Sequence, residues 1–161
     1  MQIEMTIKGL WVDPITNTPI IILRDRDGQR VLPIWVGVFE ANAIALQIEN
    51  VTTPRPMTHD LLRNVIQDLK AEILKIVVSD LKENTFYALI HLDLQGEPLA
   101  IDARPSDAIA LALRARAPIF VEDRVIDNAK TIDFAPDKGD AERLQKWLES
   151  LDPDDMGKYK M

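Results

Sequence analysis

The chain contains no cysteine, which excludes disulfides and thiolate metal sites. That absence fits a reducing compartment, and the cytoplasm is the expected location. Histidine is almost as scarce: only His59 and His91 occur, and they do not form a paired-histidine metal motif. Long apolar runs are missing too. The stretch 41–48 is broken by Asn42 and Gln47 and falls far short of the ~20 residues that cross a bilayer, so no membrane partner is expected. The opening Met1-Gln2-Ile3-Glu4 has neither the basic segment nor the apolar run of a secretory signal. There is no glycine-rich phosphate loop and no nucleophile elbow, and no organic cofactor is expected. Positive charge is in deficit. The 161 residues carry 19 basic and 26 acidic side chains, a net charge of -7. Acidic groups outnumber basic ones in 1–60, in 61–135 and in 136–161. This argues against a protein that coats nucleic acid, because phosphate neutralisation drives such binding. It leaves room for an enzyme with a small local cationic site.

What is present supports one core. Hydrophobic residues make up 47% of the chain, and its length fits a domain over 1–135 with a helical extension and frayed tail over 136–161. Period-two alternation and turn residues predict strands over 1–12, 19–23 and 30–35, with Pro33 marking an edge or a bulge. From Val38 the period becomes helical up to about residue 49. A second helix begins near Thr58, read as its N-cap, with Met57 and Leu62 as a hydrophobic staple. Its apolar stripe is Leu61, Leu62, Val65, Ile66 and Leu69. Strands over 71–81, 85–94 and 98–103 form a meander. A third helix runs from 104 to 116 and stops before Pro118, followed by a strand over 119–121 and a helical turn over 123–129. A linker over 135–140 leads to an amphipathic helix over 140–151. Two runs of antiparallel strands separated by helices indicate an α+β fold, mostly antiparallel and flanked by helices. Periodicity leaves barrel closure open.

Several residues stand out against this frame. His91 sits between Ile90 and Leu92 in a strand and reads as structural. His59 and Asp60 share the first turn of a helix, where an imidazole can carry a proton or bind a metal, and where an acid also simply complements the helix dipole. Glu40 lies in a helix apolar enough to be packed on two sides, so its carboxylate calls for a cation, hydrogen-bond donors or an open cleft. The run Asp102-Ala103-Arg104-Pro105-Ser106-Asp107 is a strand-to-helix junction, where side chains and free N–H groups converge. Ser106 is read as its N-cap, and Arg104 suits bidentate contact with phosphate or carboxylate. Arg114 lies seven residues beyond Asp107, two turns down the same face. A capped helix with an internal Arg–Asp pair is the structural alternative.

The run Arg104-Pro105-Ser106-Asp107-Ala108-Ile109-Ala110-Leu111-Ala112-Leu113-Arg114 closely resembles the signature of the bifunctional nuclease (BFN) domain family. So do Leu32-Pro33-Ile34-Trp35-Val36-Gly37 leading to Glu40-Ala41, Arg55-Pro56-Met57-Thr58-His59-Asp60-Leu61-Leu62, and Asn84-Thr85-Phe86-Tyr87-Ala88. These four ordered blocks lie within about 1–130. The resemblance implies a mixed α/β fold, a homodimer, a groove holding the active site, and hydrolysis of both DNA and RNA. The positions that match its polar signature are Glu40, His59, Asp60, Asp102, Arg104, Ser106, Asp107 and Arg114.

Phosphodiester hydrolysis needs an activated water, charge stabilisation on the phosphate and a proton for the leaving oxygen. On this expectation Glu40, His59, Asp60 and Asp107 are catalytic, with Glu40, Asp60 and Asp107 holding Mg²⁺ or another divalent cation. Arg104, Ser106 and Arg114 bind a transiently held nucleic-acid substrate, Arg114 by orienting a carboxylate. The main alternative is a non-catalytic, ligand-sensing or regulatory homodimer that binds a small anion or a protein partner. A structural interaction domain, with the polar cluster as a buried network, is the third reading.

Overall fold

Two antiparallel meanders that the sequence separates are fused into one sheet by a short strand from far along the chain. The computed structural model describes residues 1–129 and the strand Ile132–Asp133. The expected linker over 135–140, helix over 140–151 and tail lie outside the described residues. The first meander is β1 (Gln2–Val12), β2 (Pro19–Asp25) and β3 (Arg30–Trp35). The helices α1 (Val38–Ile48) and α2 (Thr58–Asp68) follow, and then the second meander, β4 (Ala71–Lys82), β5 (Thr85–Leu94) and β6 (Glu97–Ala103). Helix α3 (Pro105–Ala115), β7 (Ile119–Glu122), α4 (Asp123–Asn128) and the two-residue β8 (Ile132–Asp133) complete the order.

The sheet order is β6-β5-β4-β7-β1-β2-β3-β8. β7 pairs parallel with β4 and antiparallel with β1, and this is the join between the meanders. The sheet is open, with β6 and β8 at its two ends, so barrel closure does not occur. Pro33 is tolerated because β8 pairs only with Arg30 and Val31, which leaves Pro33 no outer ladder partner among the described residues. The β4–β5 hairpin turns on Glu83 and Asn84, both at positive φ, the conformation whose twist matches paired strands.

α3 is the centre of the helical layer. It packs on α1, α2, β4 and β5. Ala108, Ala110 and Ala112 are fully buried, and their small side chains let neighbouring backbones approach. Pro105 fixes the first helical position and holds Arg104 extended (φ -70, ψ 143), which turns the chain from β6 into α3. Arg104 rather than Ser106 is thus the N-cap, and Ser106 lies inside the first turn. Likewise Met57, not Thr58, caps α2, and its amide donates to Asp60 Oδ2 at 2.9 Å. α1 is not packed on two sides: only Ala41 and Ile44 are buried, and Phe39 is 88% exposed. Among the described residues no helix is long and apolar enough to cross a membrane.

Candidate active site

The polar residues at the N-termini of all three long helices meet around α3, but they sort into two separate networks. The first lines a cleft of about 710 Å³ between α1, α2 and the β5–β6 surface. Arg104, at the α3 entrance, is its hub. Its Nη2 donates to Glu40 Oε1 at 2.9 Å, and its Nε donates to Asp107 Oδ2 at 2.9 Å. The other oxygen of Asp107 lies 2.9 Å from His59 Nε2. Glu40, Arg104, Asp107 and His59 therefore form one hydrogen-bonded chain drawn from α1, α3 and α2. The Asp107 bond raises the Arg104 guanidinium above its ordinary range; burial opposes this, and the Asp107 charge and Glu40 add to it, so the group is always a cation. Two groups of this chain stay available to a ligand. Among the described residues Arg104 Nη1 has no hydrogen-bond partner, and neither does His59 Nδ1.

The second network lies behind the first and is a structural knot. Arg114, whose side chain is only 1% exposed, donates Nε to Asp60 Oδ1 at 2.7 Å. Its Nη1 donates to Ala110 O and its Nη2 to Ala43 O, both at 2.9 Å. One guanidinium thereby ties α1, α2 and α3 together. Burial pushes the Asp60 carboxyl up, but the Met57 amide, the Arg114 bond and the charges of Arg114 and Arg63 outweigh it and hold the group below the usual carboxylate range.

This separation bears on each expected site residue. Glu40, His59, Arg104 and Asp107 come together, with Asp102 also on the cleft wall. Asp60 does not join them, and both its oxygens are already hydrogen-bonded. Among the described residues no group of three His, Asp or Glu converges to hold a metal ion. The three-acid set Glu40, Asp60 and Asp107 therefore does not fit a shared divalent cation. Arg114 lies off the cleft wall, and each of its side-chain nitrogens already bonds a protein acceptor. Ser106 is 1% exposed, lies off the cleft wall, and its Oγ has no hydrogen-bond partner. His91 also lies off the cleft, in β5; burial and then Lys75 lower its pKa.

Two features escaped the sequence reading. Much of the cleft wall is apolar, with Phe39, Leu46, Leu62, Ile66, Ile90 and Ile101 among its residues. The second is Gly37, the N-cap of α1. A Cβ there would run into Glu40 Oε2, so the glycine makes room for the carboxylate. The obstructing atom is the end of a flexible side chain, so it can swing away at little cost to the fold. Gly37→Ala is expected to leave the melting temperature within a few degrees, a change of roughly 0.5–1 kcal/mol at most. It should still break the Glu40–Arg104 bond, seen as a changed Arg104 side-chain NMR signal. An unchanged signal would show that Glu40 does not depend on the missing Cβ.

The family model described as "Bifunctional nuclease domain" matches residues 21–133. An uncharacterized protein of Mycobacterium tuberculosis (strain H37Rv) is 39% identical over 163 residues, covering 94% of this chain and 96% of that protein. Bifunctional nuclease 1 of Arabidopsis thaliana is 28% identical over 130 residues, covering 73% of this chain and 40% of its own length. Bifunctional nuclease 2 of Oryza sativa subsp. japonica is 31% identical over 107 residues, covering 64% of this chain and 33% of its own. The match thus spans well under half of these two plant relatives.

Proposed function

The chain belongs to the bifunctional nuclease domain family, and from that premise we propose that it is a hydrolase that cleaves phosphodiester bonds of DNA and RNA with little sequence preference. The observation that carries this reading is the chain His59–Asp107–Arg104–Glu40 on a cleft wall. Asp107 fixes the imidazole: with Nε2–H donating to its carboxylate, Nδ1 is left as the acceptor that takes a proton from water. The Asp107 anion then stabilises the imidazolium that forms. Arg104 is held by two carboxylates, so its free Nη1 edge is preorganised for a phosphoryl oxygen without a search through rotamers. Glu40 acts through Arg104, as a positioning residue. Leaving-group protonation falls to the imidazolium or to bound water.

The test is turnover by purified protein on labelled single strands of mixed-sequence DNA and RNA, with His59→Ala as the control. Run with Mg²⁺ and with a chelator, the assay also reports whether a divalent ion contributes. Equal cleavage by parent and control would assign the activity to a contaminating nuclease. A second reading, non-catalytic binding of a small anion with an apolar portion, is favoured by the apolar wall beside the free edge of Arg104. A thermal shift with such ligands, without turnover, would support it instead.

The active form is proposed to be a cytoplasmic homodimer. Helix α2 has no buried residue, and Leu61, Leu62, Val65 and Leu69 are 56%, 38%, 45% and 66% exposed. An apolar stripe on a helix of this length is expected to be covered. Val65→Glu is predicted to weaken self-association about tenfold or more by sedimentation. A parent chain that sediments as a monomer at micromolar concentration would remove this proposal.

A further inference from the structure

A second hollow, of about 300 Å³, opens beside the Asp60–Arg114 knot, and its character is opposite to that of the cleft. It is predominantly polar, and three of its lining residues are arginines: Arg55, Arg63 and Arg114. Asp60 is the one acid lining it, and Arg114 neutralises that acid at 2.7 Å. Two cations are left in surplus, Arg55 and Arg63, in a chain whose net charge is -7. Neither has a carboxylate partner within hydrogen-bonding distance among the described residues.

Arg63 is already oriented. Its Nε and Nη2 donate to Asn64 Oδ1 at 3.3 and 3.1 Å, and its Nη1 donates to Arg114 O at 3.4 Å. These bonds engage neutral acceptors, so no carboxylate bonds the guanidinium directly, and one N–H on each of Nη1 and Nη2 is unspent. Arg55 lies on the segment between α1 and α2, where Pro54 and Pro56 limit the backbone and Thr53 Oγ1 donates to the Arg55 carbonyl at 2.8 Å. Two guanidinium groups, one of them held in place, fit tetrahedral oxyanion recognition: each can donate two parallel N–H bonds, and their summed charge matches a phosphate.

We propose that this hollow is a phosphate-binding site, separate from the cleft, taking a phosphoryl group either free or as part of a nucleic-acid strand. The proposal rests on the pocket's own charge and donors, and it stands or falls apart from the cleavage reading. In the cleft Arg104 is shared by two carboxylates and offers one free edge, whereas the polar hollow holds two arginines that no carboxylate bonds.

The experiment follows the Arg55 and Arg63 side-chain Nε–Hε NMR signals of the full chain. Inorganic phosphate is titrated into the parent protein, and a short mixed-sequence oligodeoxynucleotide into Asp107→Asn. Saturable shifts of both signals are expected. Arg63→Gln and the exposed-loop variant Arg55→Gln should each weaken binding about tenfold or more, as loss of a charge-assisted hydrogen bond does. Arg26→Gln, at the β2–β3 turn, removes the same charge elsewhere and should leave affinity unchanged. Saturation by phosphate alone identifies a free phosphate-bearing ligand, and saturation only by the oligonucleotide identifies a strand phosphodiester; both support the site. No saturable shift with either probe, or an equal loss in Arg26→Gln, overturns it. A chain that binds phosphate here and cleaves nothing keeps this pocket and loses the nuclease reading. A chain that cleaves but shows no saturable binding loses the pocket alone.

Discussion

Asp107→Asn is expected to lower the cleavage rate by about 10²–10⁴-fold, the range over which positioned acid–base groups contribute. The substitution is nearly isosteric, but asparagine carries one oxygen and one NH2, so only one of His59 Nε2 and Arg104 Nε keeps an oxygen acceptor. The negative charge disappears as well. The imidazolium formed when His59 takes a proton is then no longer stabilised, and Arg104 loses one of the two anions that hold it. The melting temperature should change by only a few degrees, because Asp107 is partly exposed (31%) and its ion pair is near the surface. Rate and stability are therefore predicted to separate. Kinetic assays beside thermal unfolding read both, and full activity in Asp107→Asn would end the acid–base assignment. The same change in a non-catalytic ligand binder would alter affinity with no turnover to lose.

The largest expected stability effect lies in the knot behind the cleft. Arg114→Met removes a guanidinium with three partners and leaves the Asp60 carboxylate and the Ala43 and Ala110 carbonyls without it. Breaking a buried ion pair from one side costs about 3–5 kcal/mol, or roughly 10 °C in a domain of this size. The double variant Asp60→Asn with Arg114→Met should lose less than the sum of the two single losses, since each single change strands the other partner. Acid provides a second readout. The fold holds the Asp60 carboxyl below its ordinary value of roughly 3.9, so it prefers the charged form. Asp60 therefore contributes its stability in full above that value and loses it as pH falls through the lower, folded value. Asp13 behaves alike: burial raises its carboxyl, but the Ile15 amide, the Trp35 indole and Thr16 outweigh this and hold it low. The parent should thus lose stability more steeply in acid than Asp60→Asn does. Parallel curves would mean that the Arg114 bond is not linked to protonation.

Local order was legible in the chain. The strands, the three long helices and the hairpin turns follow from period, from glycine, asparagine and proline, and from the switch at Val38, all of which act over a few residues. So did the identity of the polar residues worth examining, because a strand entering a helix through Arg104-Pro105 must present free N–H groups and short polar side chains together. Capping was misread by one or two positions: Pro105 sets the helix start and pushes Ser106 inward, and backbone groups rather than a Thr58 hydroxyl meet Asp60.

What the sequence could not decide was which of those residues meet. His59 and Asp107 are 48 positions apart, Glu40 and Arg104 64, and Asp60 and Arg114 54. Neighbouring positions such as His59 and Asp60 point into different networks, because successive side chains on a helix diverge by about 100°. Pattern alone grouped Asp60 with Glu40 and Asp107. The docking of α2 on α3 sent it to Arg114 instead, since Arg114 is buried and had to find an anion there. The join of the two meanders through β7 is likewise a choice among strand edges, settled by how the apolar faces of α3 and the sheet bury one another. Composition and period determined the parts and the polar inventory of this protein; burial, which acts between segments far apart along the chain, decided the partnerships.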